Sequence, residues 1–297
     1  PENSKAPRFL SPPTTTATAD FVAVVARAAR AFEPYDAALA ASYVEAAQRG
    51  WDYLVATPED TTPPQGSPVR TRFTGGYWNT DVDDRFWAAA EMWETTGDAE
   101  VLADLEARAA TARPGTYWDW PDMSNLAAYT YLLSGREGRD AERVAQLIEA
   151  ISGQVQTVHA AAQAHPYGSP LGYRYIWGSN GIAARTAMSI AVLRAVDPEA
   201  VPESANTISA TMDHLLGRNY YGRSYVTGLG YYPPRAPHHR PSQADAAIEP
   251  WPGLLVGGPE ATGTSWVDAE NDYRTNEIAI NWNAAMIYAA ASLLPQD

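Results

Sequence analysis

Apolar residues recur along this chain at alternating steps of three and four, the spacing of one face of an α-helix. Alanine, which favours helix, is abundant between them. The pattern therefore predicts an all-α chain whose helices are longer than the globular average. Four stripes illustrate the spacing: Phe86, Ala90 and Trp93; Val144, Ile148, Ile151, Val155 and Val158; Ile182, Thr186, Ile190 and Leu193; Ile280, Ala284, Ile287, Ala291 and Leu294.

Three long segments rich in proline and glycine interrupt this pattern, at residues 57–77, 164–177 and 217–273. Loops longer than about 15 residues are usually functional or disordered. We expect functional side chains near the ends of these loops, where a rigid helical scaffold holds them. No change in composition marks a second domain, so we expect residues 1–297 to belong to a single domain.

Composition and charge narrow the classes of function. Hydrophobic residues make up 45% of the 297 positions, enough for a sizeable core, and no apolar run is long enough to span a membrane. The formal charge of −14 argues against nucleic acid, whose phosphates it would repel. There are no cysteines, which excludes disulfides. The 10 Trp and 17 Tyr against 5 Phe suit sugar rings, but they are equally compatible with a wide helical core.

The most informative segment covers residues 266–284, where two acids lie among aromatic and amide side chains. It resembles the C-terminal active-site signature of glycoside hydrolase family 9, the inverting cellulases. That signature requires an aromatic residue, an acid, a second aromatic, a second acid, a small residue, and an Asn followed by a small residue. Its positions are filled in order by Trp266, Asp268, Tyr273, Glu277, Ala279, Asn283 and Ala284.

A second segment, residues 224–240, is similar to the histidine motif of the same family and ends in His238-His239-Arg240. Tyr232 departs from the motif, because the family usually has Asn, Lys or Arg at that place. Shorter matches at residues 177–180, 216–219 and 257–259 extend the resemblance over nearly the whole chain.

The resemblance implies an (α/α)6 barrel, of which this chain would supply about the last two-thirds. The N-terminal family motif that carries the catalytic base, with its Asp-Ala-Gly-Asp string, does not occur in the sequence. We therefore interpret residues 1–297 as the C-terminal portion of one catalytic domain. A barrel lacking about a third of its helices would expose core surface, so we expect the N-terminal fragment of the same enzyme as a partner.

The same resemblance assigns the chemistry. Glu277 is the candidate general acid, and we expect it in the first turn of the last helix, after Thr275 or Asn276 as cap. Asp268 is expected to orient Glu277 or a substrate hydroxyl, although it could instead cap its own loop. An inverting enzyme also needs a carboxylate base about 6.5–9.5 Å from the acid, and we expect an Asp of the missing segment in that role.

His238 and Arg240 are predicted to recognise substrate hydroxyls beside the cleavage point. In an extended segment their side chains point the same way, with His239 opposite. A solvated loop is the alternative interpretation, and a dedicated zinc site is improbable with no Cys and only five His.

Aromatic residues in the loops are candidate platforms on which sugar rings stack. For each of them, burial in the core is about as probable from sequence, since Trp is highly buried on average. The candidates are Trp78, Trp118, Trp120, Tyr167, Trp177 and Tyr220.

The family often holds a structural calcium ion near the start of one helix. Clustered carboxylate and amide oxygens suit Ca²⁺, and the matching residues here are Asn79, Asp83, Asp84 and Asp122. The family usually has Asp-Glu where this chain has Asp83-Asp84, so the ligand set differs. Acids at a helix start are also common without any metal. No cofactor is expected to be required for the reaction itself.

The sequence thus predicts an inverting endo-β-1,4-glucanase acting on cellulose or a related β-glucan, with no nucleic-acid or membrane partner. An exo-acting cellobiohydrolase or an exo-glucosaminidase on the same fold is the alternative within the enzyme class. A non-catalytic carbohydrate-binding fragment is the alternative outside it. The chain starts with Pro-Glu-Asn-Ser and shows no signal peptide, so secretion is implied only by the resemblance.

Overall fold

The computed structural model describes residues 10–70, 80–116, 118–244 and 249–295, and within these ranges it is helical, with isolated β-bridges but no extended strand. The prediction of an all-α chain is therefore confirmed. In chain order the helices are α1 (Thr15–Phe32), α2 (Ala37–Ala56), α3 (Val82–Thr96), α4 (Ala99–Ala109), α5 (Ser124–Leu133), α6 (Ala141–Ala164), α7 (Ser179–Val196), α8 (Ala205–Leu216), α9 (Arg240–Gln243) and α10 (Ile280–Ala291).

The chain divides into two compact units. The first consists of residues 1–112 and 121–143, and the second of residues 113–120 and 144–297. Helix α6 begins in the first unit and continues in the second. Among the helices described, none combines the length and the apolar character needed to cross a membrane.

Helix α3 is the centre of the first unit and contacts α1, α2, α4 and α5. Its predicted stripe of Phe86, Ala90 and Trp93 is buried, and the residues around that stripe are buried as well. They include the charged residues Arg85 and Glu91, each of which is buried and has a charged partner. The helix ends at Gly97, whose φ of +70° is a left-handed conformation that costs glycine little.

Helix α7 has the same role in the second unit, where it contacts α8 and α10. Its predicted stripe of Ile182, Thr186, Ile190 and Leu193 is buried. Near its start, Gly181 lies directly against the buried Trp282 of α10, because a Cβ atom at Gly181 would lie 2.2 Å from Trp282 Cδ1. The absent side chain therefore lets α7 and α10 approach closely at the end of α10 that follows Glu277.

The stripe that predicted α10 lies on the exposed side of that helix. Ile280 is 89% exposed and Ile287 is 63% exposed, while the opposite face packs into the second unit. The packed face consists of Trp282, Ala285, Met286 and Ala289. Helix α10 is thus apolar on two faces, and the described chain covers one of them.

Candidate active site

The segment that carries Glu277 is held by backbone hydrogen bonds to other loops. The amides of Gly258, His238 and Gly257 donate to the carbonyl oxygens of residues 275, 276 and 277, each at 2.8 Å. These carbonyls are then not available to a helix, so α10 begins only at Ile280, with Ala279 as its N-cap. The expectation that Glu277 lies in the first helical turn, capped by residue 275 or 276, is therefore wrong.

The Glu277 side chain is half-buried, and none of the described residues donates a hydrogen bond to its carboxylate. Its backbone, in contrast, is fixed by the pairing with Gly257 and by a β-bridge to His238. The carboxyl group is thus carried on a rigid backbone while its oxygens remain open to another molecule.

His238 lies beside Glu277, to which its backbone is paired in a β-bridge. Its ring Nδ1 donates to the carbonyl oxygen of Glu270 at 2.5 Å, so Nε2 is the ring nitrogen that remains for another partner. The ring of Tyr273 lies edge-on at 6.4 Å between centroids. Arg240 is exposed and is the first residue of the short helix α9, so the extended segment ends at His239.

Asp268 has a different set of partners from the expected one. Its carboxylate accepts hydrogen bonds from the backbone amides of Arg235 and Ala236, and from Arg223 Nη2 at 3.2 Å. Glu277 is not among its partners. Asp268 therefore anchors the loop that leads to His238, which is closer to the capping alternative than to direct orientation of Glu277.

Two further residues complete this anchor: Asn276, which the sequence analysis named only as a possible helix cap, and Arg223, which it did not single out. Asn276 is fully buried, and its Nδ2 donates to the Ala236 carbonyl oxygen at 2.7 Å and to Asp268 at 3.4 Å. Arg223 lies over the ring of Trp266, with its Cζ 5.0 Å from the centroid. Asn276 had a detectable signal, because it is an amide adjacent to the candidate acid. Arg223 had none, since Asp268, its acidic partner, lies 45 positions away.

The candidate aromatic platforms differ in exposure. Trp120, Tyr167, Trp177 and Tyr220 are exposed, as a binding role requires. Trp118 is half-buried, because its Nε1 donates to Ser189 Oγ at 3.3 Å. Trp78 lies outside the described residues.

A buried ion pair fixes the segment around Trp118 and Trp120 within the second unit. Asp119 accepts from Arg185 Nη2 and from Asn281 Nδ2, each at 2.6 Å. Arg185 is almost fully buried on α7, and Asn281 lies in the first turn of α10. Asp119 thus connects this segment to both helices, an arrangement that no local sequence pattern indicates.

The candidate calcium ligands lie in the first unit. Asp83 accepts from the backbone amide of Met123 at 2.7 Å, which brings it to the loop that contains Asp122. Asp122 accepts from the amide of Ser124 at 2.9 Å. Burial, together with the neighbouring Asp20 carboxyl, raises the pKa of Asp84 to about 9.

Asn79 lies outside the described residues. Within the described ranges, no group of three or more His, Asp or Glu side chains is arranged to hold a metal ion. Calcium therefore stays a prediction.

Comparison with known proteins relates this chain to glycoside hydrolases in both sequence and structure. The sequence profile of glycosyl hydrolase family 9 matches residues 1–290. Endoglucanase D of Acetivibrio thermocellus is 44% identical over 99% of this chain and 47% of its own length. A cellulose 1,4-β-cellobiosidase of the same organism is 28% identical over 99% of this chain and 37% of its own length.

Among solved structures, a thermostable endoglucanase from Alicyclobacillus acidocaldarius is similar, with a TM-score of 0.85 and 30% identity. The similarity covers 99% of this chain and 58% of that chain. It confirms the predicted fold class, all-α of the (α/α)6 type. This chain spans about half the length of Endoglucanase D.

Proposed function

The chain belongs to glycosyl hydrolase family 9. We propose that it carries the general acid of an inverting endo-β-1,4-glucanase. The proposed substrate is cellulose or a related β-glucan. The observation that carries this proposal is the Glu277 carboxyl, which has no hydrogen-bond donor among the described residues and lies on a fixed backbone next to His238. Such a group is free to contact the oxygen of a glycosidic bond.

In the proposed reaction Glu277 gives its proton to the departing glycosidic oxygen. Water attacks the opposite face of the sugar, and a base removes the proton of that water. His238 offers Nε2 to a substrate hydroxyl, because its Nδ1 is bonded to the Glu270 carbonyl oxygen. Asp268 holds the His238 loop against the acid segment through its bonds to residues 235 and 236.

The base is proposed to be an Asp of an N-terminal portion of the same enzyme, which would also be the partner of this chain. The relatives are about twice as long as this chain, which supports a further portion. The exposed apolar face of α10 supports it as well, since unpartnered apolar patches usually mark interaction sites. The 297-residue chain expressed alone should therefore not hydrolyse soluble cellulose, and substantial turnover would contradict this assignment of the base.

The acid is tested by Glu277→Gln in this chain combined with the N-terminal portion. Loss of a general acid typically costs about 10²–10⁴-fold in rate, so turnover of carboxymethyl cellulose should fall at least a hundredfold. Glu270→Gln is the matched control, because the side chain of Glu270 is exposed and only its carbonyl oxygen is used. If both variants lose activity equally, or if neither does, Glu277 is not the acid.

The endo-acting assignment is favoured over a cellobiosidase by the higher identity to Endoglucanase D. An endo-acting enzyme lowers the viscosity of a cellulose solution faster than it releases reducing ends. A proportional change in the two signals would favour exo action instead.

Secretion and a structural calcium ion also remain proposals. A polymeric substrate cannot enter a cell, so we propose that the enzyme acts outside it. We propose calcium near Asp83 and Asp122, since Asp83, in the first turn of α3, accepts from the amide of Met123, the residue after Asp122. If a chelator leaves the melting temperature unchanged, no such ion stabilises the fold.

A further inference from the structure

Tyr231 and Tyr232 form an exposed aromatic pair in the loop that leads to His238. The two side chains are 67% and 63% exposed, and their ring centroids lie 4.5 Å apart in an edge-on arrangement. Rings exposed to this degree contribute little to a core. Packing against a hydrophobic core therefore does not explain the presence of two large aromatic residues in this loop.

The backbone of Tyr232 adopts a left-handed conformation, with φ of +47°. A bulky side chain disfavours this region, whereas Asn and Gly adopt it more easily. Such strain persists only where the surrounding structure imposes it, and it is concentrated at functional sites. The conformation is unfavourable for Tyr232, although Asn or Gly at this position would relieve the strain without disturbing a core.

The strained conformation is held by the same residues that anchor the active-site loop. Arg223 Nε donates to the Tyr232 carbonyl oxygen at 3.0 Å, and Arg223 Nη2 donates to Asp268 at 3.2 Å. The amide of Ser224 donates to the Tyr231 carbonyl oxygen at 2.8 Å. The tyrosine pair is thus connected to Asp268, and through Asp268 to Asn276 beside Glu277.

We propose that Tyr231 and Tyr232 are an aromatic platform that binds a sugar ring of the β-1,4-glucan chain at the edge of the active site. The apolar C–H face of a glucose ring stacks on one of the two tyrosine rings, the other ring supports that ring edge-on, and the tyrosine hydroxyl groups remain available to sugar hydroxyls. The identity of the ligand rests on the function proposed above. The site itself rests on the exposure, the strain and the anchoring of the two residues.

The test measures cellohexaose binding by calorimetry and the melting temperature of the 297-residue chain in parallel. In Tyr232→Asn the affinity should fall about three- to tenfold, the range expected for the loss of one aromatic stacking contact. The melting temperature should not fall, because Asn relieves the positive φ. Tyr231→Ala should weaken binding similarly, while Tyr232→Phe, which keeps the ring, should stay within twofold of the original affinity.

Ala261→Gly is the control for strain relief, because Ala261 has a φ of +58° and no aromatic ring. It should leave the affinity unchanged. Unchanged affinity in Tyr232→Asn contradicts the proposal, and so does a loss of affinity accompanied by a lower melting temperature, which indicates a structural role. The proposed function is tested separately, by the turnover of the Glu277→Gln variant, so the failure of one proposal can be told apart from the failure of the other.

Discussion

Replacement of Gly181 by alanine tests whether the second unit depends on the close approach of α7 and α10. A Cβ atom at Gly181 would lie 2.2 Å from Trp282 Cδ1 and 2.5 Å from Trp282 Cγ, whereas carbon atoms in contact lie about 3.5–4.0 Å apart. The indole is fully buried, and Cβ atoms at Gly178 or Gly257 would also lie within 3.3 Å of it. The ring therefore has little room to move aside.

The expected cost follows from two opposing effects. Inserting atoms into a well-packed core costs about 1–3 kcal/mol, occasionally more. Alanine is better than glycine inside a helix by about 0.5–1 kcal/mol, which offsets part of that cost. Because a 2.2 Å contact requires displacement of the ring or of the helix, we expect Gly181→Ala to lower the free energy of unfolding by about 2 kcal/mol or more.

Urea unfolding of the chain, followed by tryptophan fluorescence, measures this loss. Gly153→Ala is the matched control, because Gly153 lies inside α6 and a Cβ atom there meets nothing within 4 Å. That variant should gain stability by about 0.5–1 kcal/mol, the effect of helix propensity alone.

A double variant with Trp282→Phe should recover part of the loss caused by Gly181→Ala, since the smaller ring makes room for the added methyl group. The reasoning is refuted if Gly181→Ala has the same stability as Gly153→Ala. It is also refuted if the effects of the two substitutions at positions 181 and 282 simply add.

Three further predictions concern buried polar groups. Burial lowers the pKa of His214 to about 4, so the unfolded state takes up a proton at higher pH than the folded state does, and stability is lost as the pH falls from about 6.5 towards 4. Between pH 7 and 4.5 the free energy of unfolding in urea should fall by about 2 kcal/mol more in the wild type than in His214→Phe. Equal losses in the two proteins would contradict this. The carboxylate of Glu91 is fully buried and accepts from Arg27, Arg30, Trp87 and Thr130, so Glu91→Ala should cost about 3 kcal/mol in thermal unfolding, and a loss below about 1 kcal/mol would refute its role. Asn281 donates to Asp119, which lies between the candidate sugar platforms Trp118 and Trp120. Asn281→Ala removes that bond but keeps the ion pair of Asp119 with Arg185, so it should weaken cellohexaose binding in calorimetry more than it lowers the melting temperature. Asp213→Asn, which changes an exposed ion pair, should alter neither quantity.

Local spacing was sufficient to predict helices such as α3 and α7, whose predicted stripes are buried. In both helices the residues between the stripe positions are largely buried as well, so their apolar period is weaker than that of a helix with one exposed face. Contacts between distant residues have no such signal. Asp119 and Asn281 are 162 positions apart, and the residues around either one do not indicate that the two form a hydrogen bond.

The position of Glu277 shows the same limit at the level of the backbone. The residues around it favour a helix start, and helix propensity alone would extend α10 towards the acid. The amides of Gly257, Gly258 and His238 occupy the carbonyl oxygens that such a helix would need. These competing donors come from two other loops, so a window of sequence around Glu277 cannot reveal them.

Helix α10 presents a related ambiguity, because it is apolar on two faces and periodicity does not tell which face the chain covers. Trp282, Ala285, Met286 and Ala289 pack within the second unit, which leaves Ile280 and Ile287 exposed. Helix α1 likewise exposes Phe21 and Val24 opposite its buried face. If the proposed N-terminal portion also covers these surfaces, its binding should raise the melting temperature and restore turnover at the same concentration. Restored turnover with no gain in stability would mean that these faces have another partner.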